Sequence, residues 1–168
     1  MLLGVAALGA LGFIGIKAPV ARAGAAKIEL PKPGPYDSCT VCGMFPARYP
    51  DWIATIKYQD GHAHHFDGAK DFFKHLLDMK KYAKGYKHEQ IVGMGVTGYY
   101  ATEMIDARAA FYVTGSDVLS PMGHDLIPHP DDYDAKEFIK DHKGKHTLTF
   151  DQVTLPILLG LDDGKFLK

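Results

Sequence analysis

Apolar and polar residues follow two different periods along the chain, and the changes between them mark its elements. Residues 52–58 alternate and end at a Gln-Asp-Gly turn, so residues 62–66 can return beside them as a second strand. Apolar residues then recur at helical spacing, which predicts a helix over about residues 68–82 with Asp67 as its N-cap. Residues 91–100 have a β-like composition interrupted by glycines. The first half therefore predicts the order strand, strand, helix, strand.

The second half repeats this order. Residues 109–114 are a strong strand candidate that ends at a Gly-Ser pair, and residues 124–129 predict a short second strand. A helix is expected over about residues 135–142, followed by a last strand over residues 146–150. The apolar residues 153–161 predict a short final helix.

A short internal echo supports this repeat. The segment Ala-Lys-Asp-Phe-Phe-Lys at residues 69–74 resembles Ala-Lys-Glu-Phe-Ile-Lys at residues 135–140, and a Gly-His pair precedes each of them. We therefore predict an α+β fold made of two related ββαβ halves with mainly antiparallel sheet. The halves are expected at about residues 38–104 and 105–161, within a folded domain over residues 38–168.

The N-terminus differs in kind from the rest of the chain. Residues 1–16 are almost wholly apolar, and the small residues that end at Ala23 and Ala26 fit an A-x-A cleavage pattern. The sequence therefore predicts an export segment over residues 1–26, cleaved after Ala23 or Ala26, although no basic residue precedes the apolar run. An uncleaved anchor or a buried core helix is the alternative, but the run is shorter than the ~20 residues of a spanning helix. Three prolines indicate a linker over residues 27–37.

Export would place the protein in the periplasm or another extracytoplasmic compartment, where an idle pair of thiols tends to oxidise. The rest of the composition is that of a globular protein, since 46% of the residues are apolar. The net charge of −1 gives no sign of a nucleic-acid-binding surface.

The most informative stretch is Cys39-Thr40-Val41-Cys42-Gly43-Met44, which holds both cysteines of the chain. Two thiols and a thioether are soft donors, and soft donors select soft metals such as Cu(I). The same spacing fits a structural disulfide, a redox pair or half of a zinc site. A four-cysteine zinc site is excluded because no second cysteine pair exists. Met44 favours copper among these alternatives.

A second sulfur and a histidine cluster add to the candidate chemistry. Met122 lies between a proline and a glycine, which is unusual for a methionine, although it could also fold onto the core. His62 and His64 would share one face of a strand at a spacing that suits a metal, while the alternative is a solvated hairpin.

Several motifs in this order resemble the NosL family. They are C-x-x-C-G-M at residues 39–44, Phe66-Asp67-Gly68, Ile105-Asp106-Ala107 leading into Phe111-Tyr112-Val113 and Gly115-Ser116, then Met122-Gly123 and finally Thr149-Phe150. The resemblance covers about residues 38–153. It implies a fold of two ββαβ halves, related to the core of organomercurial lyase.

The resemblance also implies a function and a ligand set. It implies an exported accessory protein, not an enzyme, that delivers Cu(I) to a copper enzyme such as nitrous oxide reductase. The best copper ligands would be Cys42, Met44 and Met122, with Cys39 next. His124 adjoins Met122 and could complete the set, or it could be a solvated loop residue.

One departure from the family pattern bears on attachment and partners. Many members are lipoproteins with a cysteine at the end of the signal, whereas no cysteine precedes Cys39 here. Membrane attachment would then depend on the N-terminal segment itself. Sharing of one metal between two chains, as a homodimer, stays open.

Three other functions stay open at this point. The cysteines could serve a thiol–disulfide oxidoreductase, although no clear helix follows them to lower a thiol pKa. An organomercurial-lyase-like enzyme would need a carboxylate near the thiols, and the sequence places neither Asp67 nor Asp106 there. The third is a binding module with a structural disulfide.

Overall fold

The computed structural model describes residues 24–166 of the chain. Most of the predicted export segment lies outside these residues. None of the helices within residues 24–166 is long and apolar enough to cross a membrane. The strands are β1 (Ala54–Tyr58), β2 (Ala63–Phe66), β3 (Ile91–Thr97), β4 (Met104–Asp106), β5 (Phe111–Thr114), β6 (Ile127–His129) and β7 (His146–Thr149). The helices are α1 (Ala69–Leu77), α2 (Met79–Tyr82), α3 (Asp132–His142) and α4 (Leu155–Asp162), with short 3-10 turns between elements.

The first half of the described chain forms an antiparallel sheet with the strand order β2-β1-β3-β4. The hairpin register sets Ala54 opposite Phe66 and Ile56 opposite His64. Alternate residues of β1 therefore bury against α1, because side chains two positions apart share one face of a strand. Only two residues, Asp67 and Gly68, separate β2 from α1, which places the first turn of the helix at the edge of this sheet.

The second half forms a smaller antiparallel sheet with the order β6-β5-β7. Helix α3 connects β6 to β7, just as α1 and α2 connect β2 to β3. Both halves therefore have the ββαβ order, and the first strand of each unit lies between the second and the last. The predicted α+β class and the repeat are confirmed.

A common hydrophobic core joins the two units. Phe73 of α1 lies 5.0 Å from Tyr112 of β5 and 5.1 Å from Phe150, measured between ring centroids. Leu158 of α4 is fully buried in the same cluster. Such aromatic pairs contribute about 0.5–1.5 kcal/mol each beyond the area that they bury. The two units are thus packed against each other at α1.

The structure differs from the sequence expectations in three places. Strand β4 was not predicted; it pairs with β3, so it spans the expected boundary at residues 104 and 105 and belongs to the first sheet. The predicted helix over residues 68–82 is interrupted at Asp78, whose carboxylate caps α2. Part of the expected linker runs alongside β4. Lys27 forms an isolated antiparallel β-bridge with Ile105, and the Ile28 N–H donates to the Met104 carbonyl at 2.9 Å.

Candidate metal centre

The two cysteines lie on a tight turn that its own backbone closes. The Gly43 N–H donates to the Cys39 carbonyl at 2.9 Å, and the Cys39 N–H donates to the Met44 carbonyl at 2.7 Å. Gly43 has φ of +80°, a left-handed conformation that glycine adopts without strain. Cys39 is buried and Cys42 is half-buried, and both thiols are free. The turn therefore presents one thiol toward the surface and keeps the other beneath it.

Two carboxylates at the start of α1 meet these thiols. The Cys42 Sγ lies 3.2 Å from Asp67 Oδ1, and the Cys39 Sγ lies 3.5 Å from Asp71 Oδ2. One ligand atom from each of the four residues lies within 4.8 Å of the others. The second oxygen of each carboxylate is buried without a hydrogen-bond partner within residues 24–166. Buried polar atoms are normally satisfied, so these two oxygens mark the cluster as a functional candidate.

The electrostatic setting favours the protonated form of the Cys42 thiol. The pKa of Cys42 is raised, first because its thiol shares a hydrogen bond with Cys39 and second because it is partly buried. The Met44 backbone opposes this rise by hydrogen bonding to the same sulfur, which favours the thiolate. Burial also raises the pKa of Asp71. A soft cation would take the place of the thiol protons on binding, because the thiolate is the form that binds a metal.

Met122 lies on a turn from the second unit that contacts α1. The Met122 N–H donates to Ser120 Oγ at 3.1 Å, and the Met122 carbonyl accepts from Lys70 Nζ at 2.9 Å. The Lys70 side chain is only 2% exposed, and its ammonium group also lies 3.1 Å from Asp162 of α4. Met122 itself is 38% exposed. A buried cation of the first unit thus holds the methionine turn of the second.

A second link between the units is formed by Asp125. Its Oδ1 accepts from the Lys70 N–H at 2.6 Å and from the Leu126 N–H at 2.7 Å. The expectation that Asp67 caps α1 is therefore wrong: Gly68 is the N-cap residue and has no side-chain cap. Asp67 turns to the Cys42 thiol instead, and Asp125 supplies the acceptor that the helix start requires. A methyl group on Gly68 would lie 2.2 Å from Asp125 Oδ2, so this close approach needs a glycine.

Burial of Asp125 predicts a pH dependence of stability. Burial raises the pKa of Asp125 to about 6, against the lowering effects of the Leu126 N–H and of Lys70. Between about pH 4 and pH 6 the folded protein keeps a proton that the unfolded chain has released. The stability contributed by this group is therefore present below that window and is lost as pH rises through it, by roughly 3 kcal/mol. Asp125→Asn, which cannot titrate, should remove this decline in the unfolding free energy, measured by denaturant titration at a series of pH values.

The control for this prediction is Asp131→Asn. Asp131 caps α3 through the Asp134 N–H at 2.9 Å, so it is also an aspartate at a helix start. Asparagine caps a helix as well as aspartate does, so this substitution should change the unfolding free energy little and should leave in place the decline over pH 4–6 that Asp125 causes. An Asp125→Asn variant with the wild-type slope would contradict the assignment.

The other residues that the sequence nominated lie around this cluster to different extents. Met44 belongs to the cysteine turn, and Met122 reaches α1 through Lys70. His124 is not in the group of Cys39, Cys42, Asp67 and Asp71; its ring lies edge-on to Phe166, 4.9 Å between centroids. The ligand roles of all five nominated residues stay predictions, namely those of Cys39, Cys42, Met44, Met122 and His124.

Sequence reasoning missed the carboxylate half of the cluster. Asp67 and Asp71 are four residues apart at a helix start, which places both on one face, and this spacing was the available signal. It did not identify them because the spacing says nothing about what lies opposite. Asp106 is not part of this cluster; it accepts from the Arg108 N–H at 2.9 Å in the turn that follows β4.

Two free thiols beside two buried carboxylates, all within the first half of the chain, define a two-unit α+β protein with a sulfur-containing candidate metal centre. The chain belongs to the NosL family, whose model matches residues 32–158. No curated protein matches it at a significant level.

A solved structure has the same fold. It is the crystal structure of the copper chaperone NosL from Shewanella denitrificans. The two chains are 23% identical, the match covers 76% of this chain and 97% of that one, and the TM-score is 0.63.

Proposed function

We propose that the protein is an extracytoplasmic Cu(I) chaperone that carries copper to a copper enzyme such as nitrous oxide reductase. The observation that carries this proposal is a pair of free thiols on a half-open turn that meets Asp71 of α1. The preceding residue of α1, Lys70, holds the Met122 turn. Family membership supports the copper part of the proposal. The sulfur donors suit Cu(I), which binds thiolate and thioether ligands in preference to oxygen.

Different residues of the chain would bind the copper ion and allow its release. Cys39 and Cys42 would hold the ion, and each thiol gives up its proton on binding, so affinity rises with pH. Asp67 and Asp71 orient the thiols through the hydrogen bonds described above. Met44 and Met122 are neutral donors, which keep the bound ion exchangeable. Cys42, the less buried cysteine, is the one that an incoming ligand of the client can approach.

The test is an anaerobic Cu(I) titration of the reduced protein against a competing chelator, followed by incubation with copper-free nitrous oxide reductase. We expect one tightly bound Cu(I) per chain and movement of that copper to the enzyme. Absence of competitive binding, together with ready formation of a Cys39–Cys42 disulfide, would reject the proposal in favour of a redox or structural role.

The N-terminal residues predict where the export signal is cleaved. Gly24 and Ala25 lie against β6, since the Ala25 N–H donates to the Pro130 carbonyl at 2.6 Å and Ala25 is buried. Cleavage after Ala26 would remove these contacts, whereas cleavage after Ala23 keeps them. We therefore expect the exported protein to begin at Gly24, as measured by the intact mass of the protein recovered from the periplasm. A mature chain that begins at Lys27, or an uncleaved one, would contradict this.

A second candidate function gains from one observation. Asp67 lies 3.2 Å from the Cys42 thiol, whereas the sequence alone placed no carboxylate near the cysteines. A thiol pair with a carboxylate could cleave a carbon–mercury bond: the carbon takes a proton from the site, and the thiolates keep Hg(II). Release of the free hydrocarbon from an alkylmercury compound, lost in Asp67→Asn, would support this function.

The redox alternative is disfavoured, because thiol–disulfide exchange needs a thiolate and the pKa of Cys42 is raised.

A further inference from the structure

A cluster of histidine and tyrosine rings lies at the start of β2, and His75 links it by hydrogen bonds to Thr40 of the cysteine turn. Strand β2 is the edge strand, and His62 and His64 lie at its start with their ring centroids 4.8 Å apart and their planes at 88°. Tyr86 stacks on His62 at 5.3 Å and 8°. His62 is exposed and His64 is half-buried, so both rings can be reached from solvent.

The separation of the two rings suits a shared metal ion. A histidine nitrogen binds Zn²⁺ at about 2.0–2.1 Å, which places the centres of two imidazoles on one tetrahedral ion roughly 5 Å apart. The 4.8 Å separation of His62 and His64 is close to this value without any rearrangement of β2. Their spacing of two residues also keeps both rings on one face of the strand.

The buried Tyr58 hydroxyl holds the His64 ring by a hydrogen bond, as the ring of a metal-bound histidine is normally held. The Tyr58 hydroxyl lies 3.1 Å from His64 Nδ1 and 3.0 Å from His75 Nε2. The other nitrogen of His75 lies 2.7 Å from Thr40 Oγ1. Because a hydroxyl has one proton, Tyr58 can accept from His64 Nδ1–H while it donates to His75. This assignment leaves the lone pair of His64 Nε2 free, and metal-bound histidines almost always hold their second nitrogen in such a hydrogen bond.

We propose that His62 and His64 form a second metal site, which takes a divalent cation of the imidazole-binding class such as Zn²⁺ or Cu²⁺. It is distinct from the sulfur site in chemistry, because imidazole suits these divalent ions whereas thiolate and thioether suit Cu(I). With two protein ligands, the remaining positions are filled by water or by a donor from another molecule. The bound ion is therefore exchangeable.

The test uses the full chain with Cys39→Ser and Cys42→Ser, so that Cu²⁺ cannot oxidise the thiols and the sulfur site is removed. We expect one Zn²⁺ to bind in a calorimetric titration, and Cu²⁺ to give an electron paramagnetic resonance spectrum with coupling to two nitrogens. His62→Ala, an exposed substitution that leaves the core intact, should weaken binding at least tenfold and remove one coupled nitrogen. His64→Ala should do the same.

The control is His146→Ala, a half-exposed histidine on β7 in the other sheet, which should leave both measurements unchanged. Absence of Zn²⁺ and Cu²⁺ binding in the cysteine-free protein would overturn the proposal. Equal binding in the His62→Ala variant would overturn it as well. Neither result depends on Cu(I) binding at the cysteines. The proposed chaperone function is therefore tested independently, by the Cu(I) titration.

Discussion

Replacing Cys42 by Ser and Met122 by Leu together should lower the affinity for Cu(I) by roughly a hundredfold or more, about 3 kcal/mol or greater. The thiolate is the strongest donor of the cluster, and a serine hydroxyl is a hard, neutral replacement that Cu(I) binds poorly. Leucine keeps the size of methionine and removes its sulfur, so the Met122 turn and its bond to Lys70 are retained. The measurement is a chelator competition under anaerobic conditions on the reduced protein.

A matched control separates loss of the ligand from loss of the fold. Met104→Leu removes a thioether from β4, away from the cysteine turn, and should leave the affinity unchanged. Each single substitution should show its own part of the loss, with Cys42→Ser the larger. Unchanged affinity in the double variant would eliminate the proposed ligand set, because that variant lacks the only proposed sulfur ligand from the second unit and the more exposed of the two thiols.

The elements that the sequence predicted well are those with a local signature. The β1–β2 hairpin carries alternation and a turn, and α3 carries helical spacing with an aspartate at its start, so short-range patterns were sufficient. Strand β4 was missed because three residues, Met104–Asp106, are too few to show a period. Its formation depends on pairing with β3, which is a tertiary contact.

The repeat shows why the site was harder to predict than the fold. Lys70 and Asp71 of α1 correspond to Lys136 and Glu137 of α3 in the sequence echo. In α3 these residues form solvated ion pairs with Asp132 and Lys140. In α1 the same residue types are buried between the units. The sequence is almost the same at the two places, so the difference arises from what each helix packs against.

Half of the candidate centre was visible in the sequence and half was not. The thiols stand out because they are the only cysteines and lie in one turn. The residues that join the units, Lys70 and Asp125, are 55 positions apart and belong to no motif. His75, which connects Tyr58 to Thr40 of the cysteine turn, is likewise revealed only by the three-dimensional contacts.

Lys70→Leu should weaken Cu(I) binding by about 10–100-fold, the usual effect of removing a group that positions a metal ligand. The ammonium group of Lys70 is the contact from α1 that holds the Met122 carbonyl, and leucine fills much of its space without the charge and without adding a thioether. Asp162 keeps its ion pair with Lys74 at 2.6 Å and is partly exposed, so the variant should fold. The affinity is measured by the same chelator competition, with the circular dichroism spectrum as the check on folding.

Lys74→Leu is the matched control, because Lys74 pairs with the same Asp162 from the same helix but forms no hydrogen bond to Met122 among the contacts of residues 24–166. It should leave Cu(I) affinity within about twofold of wild type. The decisive comparison places Lys70→Leu in a Met122→Leu background. If Lys70 acts by positioning the thioether, its substitution costs nothing further there, since the donor that it positions is already gone. A loss of the same size in both backgrounds would show that Lys70 acts on the cysteines or on the fold. The contact between Lys70 and the Met122 turn would then have no specific role in binding copper.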